Sequence, residues 1–343
     1  MSANELSIKG RPADPRQTAS RVRTHMLWVA WRQQRFQILV SLALIGAVAL
    51  GLVFLRLNVV GALQDAGALD CGTIAAFCAS PGFDDVADRY GGIAAIIPLI
   101  MLALPPLLGA LAGGPLFARE YEQGTQILAL TQSVGPVRWW ATKTAVAGVP
   151  VALALLALGF VNTWAMQPMA ALVARPMLTP GFETRGITPA AYFVLAFAIA
   201  VTVGILVRNT AAAIGATIAV YIACLLVLGF FRPNYLTPVQ WVEPYPPAAG
   251  AAEPMDADFI DAWVVDEYLV DASGTAVVLS AGDCTDPRDY AQCLIEQGVT
   301  GYYYGYQPGD RYWSIQAVEA GLAVVAGAAV LGLGLVQLRR RVI

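Results

Sequence analysis

Acid, base and turn-forming residues are concentrated in one short stretch of this chain. It reads Arg119-Glu120-Tyr121-Glu122-Gln123-Gly124-Thr125, then Pro136, then Arg138-Trp139-Trp140 and Lys143. Apolar runs bracket it on both sides, so carboxylates and cations in a fixed order sit on a connector between two membrane-crossing segments. A passive connector needs only a few polar residues. This one spends about 25 and keeps helix-forming character, the makings of a docking surface for something that pushes on the membrane helices.

Elsewhere chemistry is sparse. His25 is the one histidine, so haem ligation by paired histidines, a zinc-protease motif and a histidine proton relay are unavailable. No Gly-x-x-x-x-Gly-Lys-[Ser/Thr] phosphate loop occurs, and no metal ligand set is expected. The acids Asp65, Asp70, Asp84, Asp85 and Asp88 lack the alternate spacing around a glycine that a calcium loop requires; they read as a solvated acidic surface. Within the apolar segments the one acid is Glu319, where coupled carriers usually place several near the midplane. It lies about one turn into its segment from the acidic side, so it is expected to pair with a neighbour or to face a wet vestibule. Asn162 and Thr163 are candidates for a polar translocation path with Glu319, and interhelical hydrogen bonding explains them equally well.

The elements that hold these residues follow from hydropathy. The chain has 343 residues, 57% hydrophobic and 13% charged, about half the charge of a soluble domain, where roughly 25% is usual. This is the composition of an integral membrane protein, and no cleavable signal peptide is expected in the polar first residues. Crossing a hydrocarbon core takes about 20 helical residues, and six stretches qualify, near 37–57, 93–116, 144–165, 190–207, 211–231 and 315–338. The expected fold is an all-α polytopic bundle of six transmembrane helices. Pro98, Pro105 and Pro106 predict a kink or local unwinding in the second. With six spans the termini share a side. That side carries 14 of the 21 basic residues, the other 19 of the 24 acids, and the positive-inside rule makes both termini cytoplasmic in a multi-pass plasma-membrane protein. The charge pattern gives no sign of nucleic-acid binding.

Four parts are expected. Residues 1–35 form an N-terminal segment whose stretch 18–34, with Trp28 and Trp31 at headgroup level, reads as an amphipathic interfacial helix. Residues 36–231 hold spans one to five with a connecting loop at 117–143. Residues 232–313 form a small mixed cap, and 314–343 the sixth span with its basic tail. In the cap, Trp263–Val270 and Thr275–Leu279 flank Asp271-Ala272-Ser273-Gly274, a hairpin signal, and 289–297 reads as a helix. Cys71 with Cys78, and Cys284 with Cys293, fall on the acidic side, where disulfides persist. Each pairing closes a short loop, contributing ~2–3 kcal/mol on the chain-entropy model, although other connectivities remain open. Cys224 lies in the fifth span as a packing residue.

This layout resembles the permease subunit of an ATP-binding-cassette exporter in the ABC type-two membrane-domain class. Amphipathic helix, six spans, a charged helix between spans two and three, and an elaboration between five and six occur in the same order. Glu120, Glu122, Gly124, Thr125, Pro136 and Lys143 match the family's Glu-x-Glu-x-Gly-Thr…Pro…Lys pattern. The run Tyr306-Gln307-Pro308-x-x-Arg311-Tyr312-Trp313-x-x-Gln316-x-x-Glu319 resembles a stretch in actinobacterial permeases of this kind. The resemblance implies a chain with no catalytic site and no cofactor of its own. ATP and Mg would be bound by a soluble partner ATPase docked on the coupling helix, and a second permease would complete a homo- or heterodimer. It implies that Glu120 and Glu122 orient or dock that helix, that Gly124 and Thr125 form its turn, and that Arg119, Arg138 and Lys143 hold its return to the bilayer. Helices with so few charges suit a hydrophobic or amphipathic cargo such as a drug, antibiotic, lipid or peptide. The alternative is a membrane-embedded sensor or assembly factor whose acidic cap binds a ligand or protein. A membrane enzyme would need paired catalytic groups at depth, which the spans do not supply.

Overall fold

Hydrophobic length calls for six membrane-crossing helices, and the structure has, among the described residues, six helices long enough and apolar enough to cross. It is a computed structural model that describes residues 15–69, 81–124, 135–170, 177–246, 262–280, 284 and 289–342. The long helices are α1 (Pro15–Asp65), α2 (Pro81–Glu122), α3 (Pro136–Met166), α4 (Thr188–Val207) and α5 (Thr210–Phe231). The short α6 (Tyr290–Glu296) precedes the last of them, α7 (Tyr312–Val342).

Two of these elements differ from the sequence expectation. The amphipathic stretch 18–34 is continuous with the first span rather than a separate element, and much of the expected connection 58–92 is helix. Nothing in either sequence stops a helix at the membrane boundary, so α1 and α2, at 51 and 42 residues, run well past the hydrocarbon. The latter is roughly 60 Å long at 1.5 Å per residue. Helix α2 also continues through Pro98, Pro105, Pro106 and Pro115.

Burial sorts the helices. α4 is apolar on nearly every face and is the most buried span, as expected for a helix surrounded by others. It packs on α2, on α7, and less extensively on α3 and α5, while α1 packs chiefly on α3. Side chains such as Phe36, Leu50, Phe54, Leu226, Phe230 and Val325 are largely exposed; in a bilayer such surface belongs to acyl chains or to another membrane helix.

The cap carries a four-stranded antiparallel sheet of order β1-β4-β2-β3, made of β1 (Val239–Pro244), β2 (Trp263–Val270), β3 (Ala276–Val277) and β4 (Gly301–Gln307). The expected hairpin is β2–β3, and its turn is built on Asp271. One oxygen of Asp271 accepts from the Ser273 and Thr275 amides at 2.8 and 2.9 Å and from the Ser273 hydroxyl at 2.7 Å. That hydroxyl first, and then the amides, hold its carboxyl below the usual carboxylate range. Cys284 and Cys293 are bridged, with Cα atoms 5.4 Å apart; Cys71 and Cys78 lie outside the described residues. The sheet is seated on the bundle by Gln307, fully buried, which donates to the Pro233 carbonyl at 3.0 Å, and by Met177, Phe182, Tyr312 and Ile315 beneath Trp263.

The Gly109-Ala-Leu-Ala-Gly113 stretch of α2 packs against α4. A Cβ at Gly109 would lie 2.7 Å from that of Ala196 and 2.9 Å from the Phe197 amide, and one at Gly113 2.7 Å from that of Ala200 and 2.9 Å from the Phe197 carbonyl. Backbone blocks both positions, so α2 and α4 would have to separate. Gly113→Val is expected to destabilise the purified protein by about 1–3 kcal/mol, the usual range for overpacking. Gly46→Ala, which meets nothing within 4 Å, should be neutral in the same thermal unfolding assay.

Candidate functional site

At the basic face, the end of α2 is tied to three other helices. Lys143, in the second turn of α3, is only 5% exposed. An ammonium so placed needs compensation, and it has it: an ion pair with Glu120, a hydrogen bond to the Leu116 carbonyl at 3.2 Å, and the rings of Trp139 and Phe117 with centroids at 5.0 and 5.4 Å. One helical turn of α2 thus grips the start of α3.

Glu122, two residues on, reaches a different neighbour. Its carboxylate accepts from the Thr210 amide at 2.8 Å and the Thr210 hydroxyl at 2.9 Å. Asn209 caps the same helix through the Ala212 amide at 2.9 Å. The N-terminus of α5 therefore holds a carboxylate where its unpaired amides and its dipole favour one. The turn before it is tight: Arg208 ends α4 in the left-handed region at φ 58°, a conformation usually left to glycine. Its guanidinium lies 5.4 Å from the centre of the Tyr121 ring. Arg119 and Arg138 are exposed, and Gly124 closes α2 at φ 68°. Pro136 is the first residue of α3, where a missing amide proton costs nothing. Thr125 and the stretch 126–134 lie outside the described residues.

The polar residues proposed for a translocation path gather at the other end. Asn162 donates to the Thr184 carbonyl at 2.9 Å, and Thr163 bridges the Gly159 carbonyl and the Gly186 amide, each at 2.9 Å. Both fasten the connection after α3 to the bundle. Glu319, fully buried on α7, receives Arg232 Nε at 2.7 Å and Nη2 at 2.8 Å, and the Tyr192 hydroxyl donates to it as well. The same Nη2 lies 2.7 Å from Glu183, while the guanidinium stacks 4.0 Å from the Phe182 ring. Gln316 binds the Phe182 and Arg185 carbonyls one turn earlier on α7, at 3.3 and 2.9 Å.

Sequence reasoning anticipated a partner for Glu319 but did not name Arg232 or Glu183. A signal was present: Arg232 directly abuts the end of the fifth span, and a buried carboxylate needs a cation within reach.

Between the acidic-face halves of α1 and α2 lies a groove of about 440 Å³, lined by apolar residues including Leu52, Phe54, Ile97 and Met101. Asn58 and Tyr90 join it to a second, more polar recess of about 890 Å³ that includes Asp65, Asp85 and Arg89. Among the described residues no group of three histidine, cysteine or acidic side chains is placed to hold a metal ion.

A family model described as ABC-2 membrane transporter related matches residues 42–232, more than half of the chain. The chain belongs to that family. It is thus a multi-pass membrane protein and a permease component of an ABC transporter. No curated protein matches it. The matched span of this ABC-2-related permease begins inside α1 and ends at Arg232, so it takes in both the α2 clamp and the guanidinium of the buried cluster.

Lys143 and Glu120 lend themselves to a double-mutant test. Lys143→Met removes the ion pair between Lys143 and Glu120 and should cost roughly 1–3 kcal/mol, the range for loss of a charge-assisted hydrogen bond. The pair Glu120→Gln/Lys143→Met removes both charges and should unfold at a higher temperature than the single Lys143 variant. Equal midpoints would show that the two side chains do not interact.

Proposed function

We propose that this permease carries a hydrophobic or amphipathic substrate outward across the plasma membrane, driven by a separate ATP-binding-cassette ATPase that docks on the segment 119–143. Both termini are then cytoplasmic, following the basic bias of that face. Two permeases pair, and ATP and Mg are held by the partner subunits rather than by this chain.

The observation that carries this reading is the clamp at the end of α2. Glu120 holds α3 through Lys143, Glu122 holds α5 through Thr210, and Tyr121 lies under Arg208 at the end of α4. A push delivered beside Glu122 is therefore delivered to four spans together. A partner that binds two arrangements of this clamp with different affinity shifts the equilibrium between them, the physical requirement for coupling ATP closure to membrane rearrangement. The groove between α1 and α2 supports the substrate class, since its apolar floor and polar mouth match a molecule with one hydrocarbon and one hydrated end.

The test is co-purification of the chain with its candidate ATPase, followed by ATPase assays on wild type, Glu120→Gln and Glu122→Ala. The expected result is stable association in all three, with substrate-stimulated hydrolysis lost in the variants because the docked segment no longer moves the spans. Failure to associate under any nucleotide condition would remove the engine from the proposal and leave the sensor alternative standing.

A further inference from the structure

The groove between α1 and α2 has a floor, two rims and a mouth of different chemistry. Leu52, Leu55 and Met101 form its buried floor, while Phe54, Ile93 and Ile100 on its rims are exposed. It therefore opens sideways, away from the rest of the bundle. Its α1 wall runs from Val48 to Asn58, about 15 Å at 1.5 Å per residue. That is half of a hydrocarbon core of ~30 Å, the depth of one leaflet. Asp65 lies seven residues beyond Asn58, roughly 10 Å further along the helix and into the headgroup layer. Asn58 and Tyr90 line both spaces, where hydrocarbon gives way to water and tyrosine is enriched.

The recess above the groove carries both signs of charge. Asp65 at the end of α1, and Asp85 and Arg89 near the start of α2, line it and are exposed; among the described residues none of the three takes part in an ion pair. One guanidinium beside two carboxylates complements an anion and a cation carried on the same molecule. The guanidinium suits a phosphate, which it meets with a fork of donors. Carboxylates suit a cation that brings N–H donors to them. Asn58 donates to the Phe54 carbonyl at 2.7 Å, and its own oxygen is a further acceptor at the mouth. A quaternary ammonium has no such donors and is held in cages of aromatic rings, whereas the described lining of this recess has the single ring of Tyr90.

We infer that the groove and its recess are a seat for one phospholipid of the acidic-face leaflet whose head carries a primary ammonium, as in phosphatidylethanolamine. Its phosphate lies on Arg89, its ammonium on Asp65 and Asp85, and one acyl chain on the floor formed by Leu52, Leu55 and Met101. A purely anionic head would leave both carboxylates unmatched, and a purely cationic one would leave Arg89 unmatched. The inference rests on the proposed reading of the groove as a place for an amphiphile, and adds the chemistry of its head. It requires no ATPase, because this chain alone supplies the contacts.

Photo-crosslinking of the full chain in phosphatidylcholine nanodiscs, with no ATPase present, tests it. Three photo-lipids carry a diazirine midway along one acyl chain and differ only in the head: ethanolamine, choline or glycerol. The expected result is labelling within 48–58 and 90–101 that is about tenfold stronger for the ethanolamine head, the factor one charge-assisted hydrogen bond supplies. Asp65→Asn/Asp85→Asn should erase the preference over choline, and Arg89→Gln should weaken labelling by all three. Asp84→Asn, exposed and outside the recess lining, should change nothing. Gly51 lines the groove, and a Cβ there meets nothing within 4 Å, so Gly51→Phe should fill the groove and abolish labelling at an unchanged thermal midpoint. Equal labelling by the three heads, or labelling spread over the other exposed helix faces, would mean annular lipid only and overturn the proposal. A preference that survives in the double Asn variant would overturn it too. Dodecylamine displacing the ethanolamine lipid as well as phosphatidylethanolamine does would assign the recess to cationic amphiphiles and reject the phosphate contact. Should a variant fail to fold, the comparison of heads on wild type decides the matter. Failure of an ATPase to associate leaves this result untouched, and loss of the labelling leaves the clamp at Glu120 and Glu122 untouched.

Discussion

The acidic-face end of the bundle is assembled around the guanidinium of Arg232. Without it, Glu319 would be a carboxylate on a membrane helix, and Glu183 a carboxylate under a sheet, both cut off from water. Removing one partner of such an arrangement leaves an uncompensated buried charge, which is far more costly than replacing the whole set by apolar residues. The pairing therefore fixes where three separate segments must meet. The connection before α4, the end of α5 and the start of α7 cannot part without exposing or stranding these charges. The cap sits on the same place, since Phe182 and Tyr312 pack beneath Trp263 and Gln307 reaches the Pro233 carbonyl next to Arg232.

The basic-face end is built on a different principle. Lys143 is buried, but Glu120 is partly exposed and Glu122 is exposed, so water reaches the carboxylates of the clamp. Such bonds can be broken and remade at lower cost than those around Arg232. The molecule thus has a dry joint at one end and a wet clamp at the other. Elements that must move are drawn from the less stable parts of a structure, which places the flexible end beside the segment proposed to take the push.

Much of this was legible in the sequence because membrane burial leaves a plain signal. Six apolar stretches gave six helices, and the Asp271-Ala272-Ser273-Gly274 turn marked a hairpin. What escaped had physical reasons. Helix ends beyond the bilayer are set by local propensity rather than hydropathy, so α1 and α2 outran their expected limits. The sequence assigns the tyrosine-rich run 301–307 to no element, yet it is a central strand between β1 and β2. The partners of Glu122 and Glu319 are 88 and 87 residues away in sequence, and no local pattern ties either carboxylate to one partner among several. The motif around Glu120 was visible, but its inward orientation, toward Lys143, was not.

The two ends are linked by how the helices group. α1 rests chiefly on α3, whereas α2 and α7 lean on α4, with α2 held tight by glycines that admit no side chain. Contact between α1 and α2 is slight, and it is there that the apolar groove and its polar mouth open. Lys143–Glu120 ties the start of α3 to the end of α2 at the basic face, and α3 also packs on α4. Since the α2–α4 contact leaves no room to slide, displacement of the end of α2 falls on its slighter contacts, those with α1 and with α3. On the proposed function, a force applied at the clamp reaches the groove through the slight α1–α2 contact, while the charges around Arg232 hold the far ends of the connection before α4, of α5 and of α7 together.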